Sequence, residues 1–249
     1  MAAGKRMLVK SFKIKCANLV IEIGYKLEHT KKHCKEYIVD DELLADFSVV
    51  PTESDYEYIK GYIPEETDEE IELVTILYLL ADRIIRFDSY IMHGAALCID
   101  GKGVIFSAPS GTGKTTQMRL WQKAFGERVL PVNGDKPIIS RGSDEVLVSG
   151  SPFCGKEGYS SNITVPLKAI CFIERAAENS IVRLKADEIL KRIFHQLFVP
   201  RIGSEMMDKA LDFVGVLIEK VDIYLLKCNM DVDAALTAYN DIFKKDLQR

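Results

Sequence analysis

Two apolar runs joined by a tight turn lead directly into a glycine-rich loop in "AALCIDGKGVIFSAPSGTGKTTQM", residues 95–118. The "DGKG" between the runs is a strong signal for a hairpin turn at Asp100 and Gly101. The strand entering the loop is then the second arm of an antiparallel hairpin. Ordinary phosphate-binding loops are entered from a parallel βαβ sheet instead. This one feature restricts the fold more than any other in the chain.

The loop has the parts that anion binding needs. Gly111 and Gly113 let backbone N–H groups turn inward around an anion, and a helix starting just behind adds the positive end of its dipole. Lys114 supplies charge for the outer phosphates and Thr115 a hydroxyl for Mg²⁺. Ser110, Gly111, Thr112, Gly113, Lys114, Thr115 and Thr116 are therefore the expected nucleotide-binding residues. Ala108 and Pro109 depart from the usual pattern only at the loop's entry, where proline removes one donor and fixes φ. Such a site also needs a carboxylate at the end of a neighbouring strand, and "VLPVNGDKP" places Asp135 there.

Bulk properties exclude other classes. The chain has 249 residues, 28% charged and 47% apolar, with a net charge of −4, so no global basic field argues for nucleic acid or anionic lipid. No C-x-x-C pair occurs among the six cysteines, and no apolar stretch is long enough to span a bilayer. A cytoplasmic protein with reduced thiols is expected, with neither membrane nor nucleic acid among its partners. "HTKKHCK" spaces His29 and His33 as helical metal ligands beside Cys34, but no further ligand is placed convincingly.

Alternating runs before residue 66 predict a β-rich N-terminal portion, with strands in "LVKSFKIK", "NLVIEIGYKL", "EYIVD", "DFSVV" and "YEYIKGYI". A linking helix over 67–87 opens with Thr67 and Glu70 at capping-box spacing. It begins a second portion, 67–249. Further helices are expected after the loop and at 186–198, 204–220 and 231–246. Strands are expected in "RVLPVN", "KPIIS", "EVLVSG", "LKAICFIE" and "VDIYLLKC". The acidic stretch 53–70 reads as solvated surface. The polar segment "GSPFCGKEGYSSN", 150–162, offers Lys156 for phosphate charge, and Ser160, Ser161 and Asn162 for a substrate or nucleotide.

The succession "MHGAAL", "DGKGVIFSAPSGTGKTT" and "VNGDKPII" resembles the catalytic core of the HPr kinase/phosphorylase family. The loop is also similar to that of phosphoenolpyruvate carboxykinases, and "GSPFCGKEG" and "VPLKAICFIERAAEN" resemble stretches of uncharacterised bacterial HPr-kinase-related proteins. The resemblance spans roughly residues 85–185. It implies a mixed α/β, phosphoenolpyruvate-carboxykinase-like nucleotide-binding core. The implied function is an ATP- and Mg²⁺-dependent kinase that phosphorylates a hydroxyl on a peptide, a protein or a small molecule. Lys114, Asp135 and His93 would be the catalytic residues, with Thr115 and Asp135 holding the metal and His93 near the transferring phosphoryl group. HPr kinases form oligomers, so a homo-oligomer is open by analogy.

One departure matters: Gly134 stands where that family carries the first of two aspartates, its presumed base. A nucleotide-binding regulatory or scaffold protein with little phosphoryl transfer is therefore the alternative. Carboxykinase chemistry on a keto acid ranks lower, because its extra Lys and His metal ligands and its arginine clamp are not found.

Overall fold

The computed structural model describes residues 10–199 and 204–244. Strands β1 (Lys10–Cys16) and β2 (Leu19–Tyr25) form an antiparallel hairpin, and β3 (Phe47–Val49) joins β2 in parallel. Helix α1 (Glu28–His33) and a 3₁₀ turn, Lys35–Tyr37, lie between β2 and β3. The strand expected at 36–40 is reduced to one bridge from Ile38 to Ile14.

The strand expected at 56–63 is instead helix α2 (Glu53–Tyr62). Its tyrosines suggest β structure by propensity, but Thr52 and Asp55 close a capping box that outweighs them: the Thr52 N–H donates to Asp55 Oδ2 at 2.7 Å and the Asp55 N–H to Thr52 Oγ1 at 3.4 Å. Helix α3 (Asp68–Ile84) starts where Thr67 accepts from the Glu70 N–H, and a 3₁₀ turn extends it to Phe87. Its apolar stripe, including Leu73, Ile76, Leu80 and Ile84, packs in one cluster with Ile14, Ile21, Ile23 and Val49 of the N-terminal sheet.

A buried carboxylate fastens this arrangement. Glu72 is 1% exposed, and it accepts four hydrogen bonds. They come from the Lys26 and Leu27 N–H groups at 2.7 and 3.0 Å, Thr30 Oγ1 at 2.5 Å and the Tyr56 hydroxyl at 2.9 Å. Glu72 thus ties α1 and α2 to α3, and its burial is tolerable because each carboxyl oxygen accepts two hydrogen bonds.

The second sheet takes nine strands among the described residues: β4 (Ser89–Ile91), β5 (Ala95–Ile99), β6 (Lys102–Ser107), β7 (Val129–Asn133), β8 (Ile138–Arg141), β9 (Val146–Ser149), β10 (Thr164–Arg175), β11 (Ser180–Arg183) and β12 (Asp222–Cys228). The order is β4-β8-β9-β10-β6-β5-β7, with β12 parallel to β10 and antiparallel to β11. The foreseen hairpin is β5–β6, turning at Asp100, whose φ is +51°. β6 also runs parallel to β10, so the sheet is mixed.

Alternation along the central strands feeds two cores. Ile105, Ile170 and Phe172 face α5 (Ala186–Ile193) and α6 (Ser204–Lys220). Phe106, Ala169 and Cys171 face α4 (Lys114–Phe125) and α7 (Asp233–Tyr239). The wholly buried Trp121 sits between Phe106 and Tyr239 on that second face.

Three further expectations are corrected. β11 was not foreseen. α5 stops at Ile193, residues 194–196 form a turn, and the chain from Leu197 runs against β4, where the Phe198 N–H donates to Ile91 O at 2.9 Å. The last helix gives way to a π turn over Asn240–Lys244, and residues 245–246 of that expectation lie outside the described residues. No helix among the described residues is long and apolar enough to cross a membrane.

Glu72→Leu leaves two backbone N–H groups and two hydroxyls unpaired, so it should cost about 3 kcal/mol or more in urea unfolding. Glu72→Gln should cost less, because an amide oxygen still accepts. A Leu variant as stable as wild type would show that this carboxylate is not what fastens α1 and α2.

Candidate functional site

The loop of residues 107–113 joins the end of β6 to the start of α4. Gly111 and Gly113 take φ of +74° and +133°, which other residues rarely reach. Gly113 is also the N-cap of α4, and no side chain caps that helix. The first N–H groups of α4 are therefore left for an anion, at the positive end of the helix dipole. Arg175, at the end of β10, steadies the loop from outside by donating to the Thr112 and Gly111 carbonyls.

Lys114 folds back over its own loop, donating to Ala108 O at 3.0 Å and Pro109 O at 3.4 Å. Burial lowers its pKa and the Lys136 charge adds to this, against the opposing pull of Asp135. An anion arriving here would relieve both penalties.

The carboxylate is placed by a turn at the end of β7. Asn133 is fully buried, and its Oδ1 accepts the N–H groups of Asp135 and Lys136 at 2.8 and 2.6 Å. Its Nδ2 donates to the Ser151 carbonyl at 2.9 Å, and Ser151 Oγ donates to Lys136 O at 2.6 Å. Asp135 then meets His93 Nε2 at 3.4 Å through Oδ1 and Lys136 Nζ at 2.6 Å through Oδ2. Burial pushes the Asp135 carboxyl up, but hydrogen bonds from His93 and Lys136 and their charges outweigh it and hold the pKa at about 2.

His93 is fixed from both sides. Its N–H donates to Gln196 O at 2.7 Å and its carbonyl accepts from Ser107 Oγ at 2.8 Å. The Gly94 N–H donates to Asp135 O at 3.0 Å, joining the hairpin's start to the aspartate turn.

The residues 110–116 apart from Thr112, together with His93, Asp135 and Lys156, line one cleft of about 800 Å³, within the range of small-ligand sites. Thr112 instead offers its carbonyl to Arg175. Ser160 and Asn162 lie outside the cleft lining. Ser160 Oγ donates to Ser151 O at 2.9 Å and pairs with the Tyr37 hydroxyl, while Asn162 Nδ2 donates to Glu36 O at 3.4 Å. These two polar side chains fasten the 150–162 segment to the N-terminal portion. Cys154 lines the cleft, but burial raises its pKa and keeps it a thiol.

Two contributors were missed from sequence, and His29 and His33 were read there only as metal ligands. Lys136 follows a turn and reads there as a surface charge. Arg175 lies at the far end of an apolar strand. His29 and His33 line the cleft from α1, their rings 6.1 Å apart, although no group of three metal-ligating side chains exists among the described residues.

Gly134 also has a structural reason. A Cβ there would lie 2.7 Å from Cys154 O and 3.3 Å from Tyr159 Cβ, while the Gly134 N–H donates to Tyr159 O at 2.7 Å. The 154–159 segment crosses this position too closely for any acidic side chain.

No family model matches the chain, and no curated protein matches its sequence. Among solved structures, the HPr(Ser) kinase/phosphatase from Coxiella burnetii is similar over 64% of this chain and 93% of that chain, at 14% identity and a TM-score of 0.39. That likeness is distant, and the geometry of this chain's own residues has to carry the function.

Because Asp135 is held at about 2, below its unfolded value near 3.9, its ion pairs stabilise the fold above pH ~4, and that stability is lost as pH falls through about 2. Wild type should exceed Asp135→Asn by about 2 kcal/mol in urea unfolding at pH 7, and the gap should close by about pH 2. An unchanging gap would show that the carboxylate's charge is not what matters.

Proposed function

We propose that this chain is an ATP-dependent phosphotransferase acting on a hydroxyl acceptor. The observation that supports this most is the meeting, across one cleft, of an uncapped helix N-terminus carrying Lys114 with a His93–Asp135–Lys136 cluster. An anion-binding helix start alone is a binding site. Beside a histidine held by a carboxylate, it becomes a site that binds phosphate and also receives a proton.

In this reading the loop N–H groups from Ser110 to Thr116 seat the phosphates, and Lys114 leaves its own loop carbonyls for the outer ones. The Thr115 hydroxyl and the Asp135 carboxylate are hard oxygen donors of the kind Mg²⁺ takes, and Lys136 Nζ already stands at Asp135 Oδ2 as a cation would. Bound there, the metal would supply charge neutralisation on the phosphates.

The acceptor oxygen bonds to the γ-phosphorus as the bond from that phosphorus to the β-phosphate oxygen breaks, and the electron pair leaves with ADP. The acceptor's proton goes to His93. In this reading His93 Nε2, 3.4 Å from Asp135, carries the proton, so Nδ1 is the nitrogen left to accept, and the carboxylate stabilises the imidazolium that results. Asp135, held at about 2, is too weak a base to take the proton itself, so its part is orientation and charge. Lys156, which also lines the cleft, would add charge against the phosphates.

A second reading, nucleotide binding with little transfer, is favoured by one observation: the close crossing of Cys154 and Tyr159 bars a second acid at Gly134. The two readings separate experimentally. Lys114→Ala should lower ATP turnover about 100-fold or more, and His93→Ala should lower it while leaving ATP affinity close to wild type. Turnover that survives Lys114→Ala would overturn the assignment of the loop. Tight ATP binding without γ-phosphate loss, unchanged by His93→Ala, would favour the second reading.

A further inference from the structure

A second cavity, of about 650 Å³, opens on the other side of His93 and Lys136, which line both it and the nucleotide cleft. Its remaining walls come from α2, α3 and the chain after α5. Apart from His93 and Lys136, the two linings share no residue among those described. Tyr58 and Tyr78 are about half exposed, and the carboxylates of Asp55 and Asp82 stand on the same helices as these rings. Gln196, about nine-tenths buried, is part of the wall, and its amide oxygen has no partner among the described residues. The cavity is therefore basic where it adjoins the phosphate site, and acidic and aromatic on the helices that form its other walls.

We propose that this cavity is the acceptor site and that it takes a small amino alcohol with an apolar or aromatic body. This inference rests on the phosphotransferase reading above and names its substrate class. The hydroxyl end belongs beside His93 and Lys136, the only lining groups shared with the nucleotide cleft among the described residues. A cationic amine is favoured at the other end, because tyrosine faces and carboxylates both attract it while desolvating little. A carboxylate or phosphate there would meet Asp55 and Asp82 and be repelled. The apolar body has Ile59, Leu79 and Phe198 to pack on. The volume is that of a small-molecule site. Helix α2 thus has a task beyond completing the N-terminal portion, since it supplies one wall of this site.

Three probes of one shape and different charge test this: phenylalaninol, 3-phenyl-1-propanol and 3-phenyllactate. Titrated without nucleotide, phenylalaninol should bind tightest and phenyllactate weakest. Asp82→Asn should weaken phenylalaninol about fivefold and leave phenylpropanol unchanged. Tyr78→Ala should weaken both about tenfold. Phenylalaninol should bind equally well with a Mg²⁺-bound non-hydrolysable ATP analogue present, and with ATP it should be phosphorylated. Equal affinity for all three probes, a preference for the anion, or displacement of phenylalaninol by the ATP analogue would each overturn the proposal. Failure of the chain to bind ATP would instead overturn the phosphotransferase reading, while the order of the three probes would still report the cavity's own preference.

Discussion

The site depends on the side chain of Asn133. A buried amide in an apolar sheet is costly unless all its groups are met, and here both ends are used. Its oxygen gathers the next two backbone N–H groups, which bends the chain sharply off the end of β7 and turns Asp135 and Lys136 toward the cleft. Its nitrogen takes the Ser151 carbonyl, so the segment crossing above is set by the same residue. The closeness of that segment explains Gly134, because once Tyr159 and Cys154 lie against the turn there is no volume left for a side chain.

The second constraint is the hairpin. A parallel βαβ entry would place a helix before β6. The antiparallel arm β5 instead brings His93 and Gly94 alongside the loop's first residue, through the Ser107 hydroxyl and the His93 carbonyl. The Gly94 N–H then reaches the Asp135 carbonyl. Loop, histidine and aspartate turn are thereby joined through backbone and short polar links, which hold position better than long exposed side chains. The charges fit this frame. Lys114, Lys136 and Lys156 stand in the lining against Glu70, Asp135 and Glu157, so the formal charges balance and the open helix N-terminus is what an anion would satisfy.

Local chemistry was legible in the sequence and long-range placement was not. The hairpin, the loop, the cap of α3 and the end of α4 at Gly126 are each written within a few residues, and each is found. Tyr-rich α2 was misread because alternation and helical spacing overlap in a short segment, and the deciding signal was the pair Thr52 and Asp55 beside it. The structural bonds of Ser160 and Asn162 were not legible, because a polar loop gives no sign of where its side chains bond. Their partners, Tyr37 and Glu36, lie more than a hundred residues away in sequence. Lys136 and Arg175 carry no motif, and they matter only because the sheet brings a turn and a strand end to the same loop.

The N-terminal portion is part of this construction. Its sheet packs on α3 in one cluster that also takes in Ile138 of β8 and Phe153 of the crossing segment. Through Glu72, α3 in turn fixes α1, which carries His29 and His33 to the cleft, and α2, which carries Asp55 and Tyr58 to the second cavity. One buried carboxylate thus sets walls on both sides of His93. A shift of α3 would change the two cavities together, so the cleft and the second cavity share a mechanical support as well as two side chains.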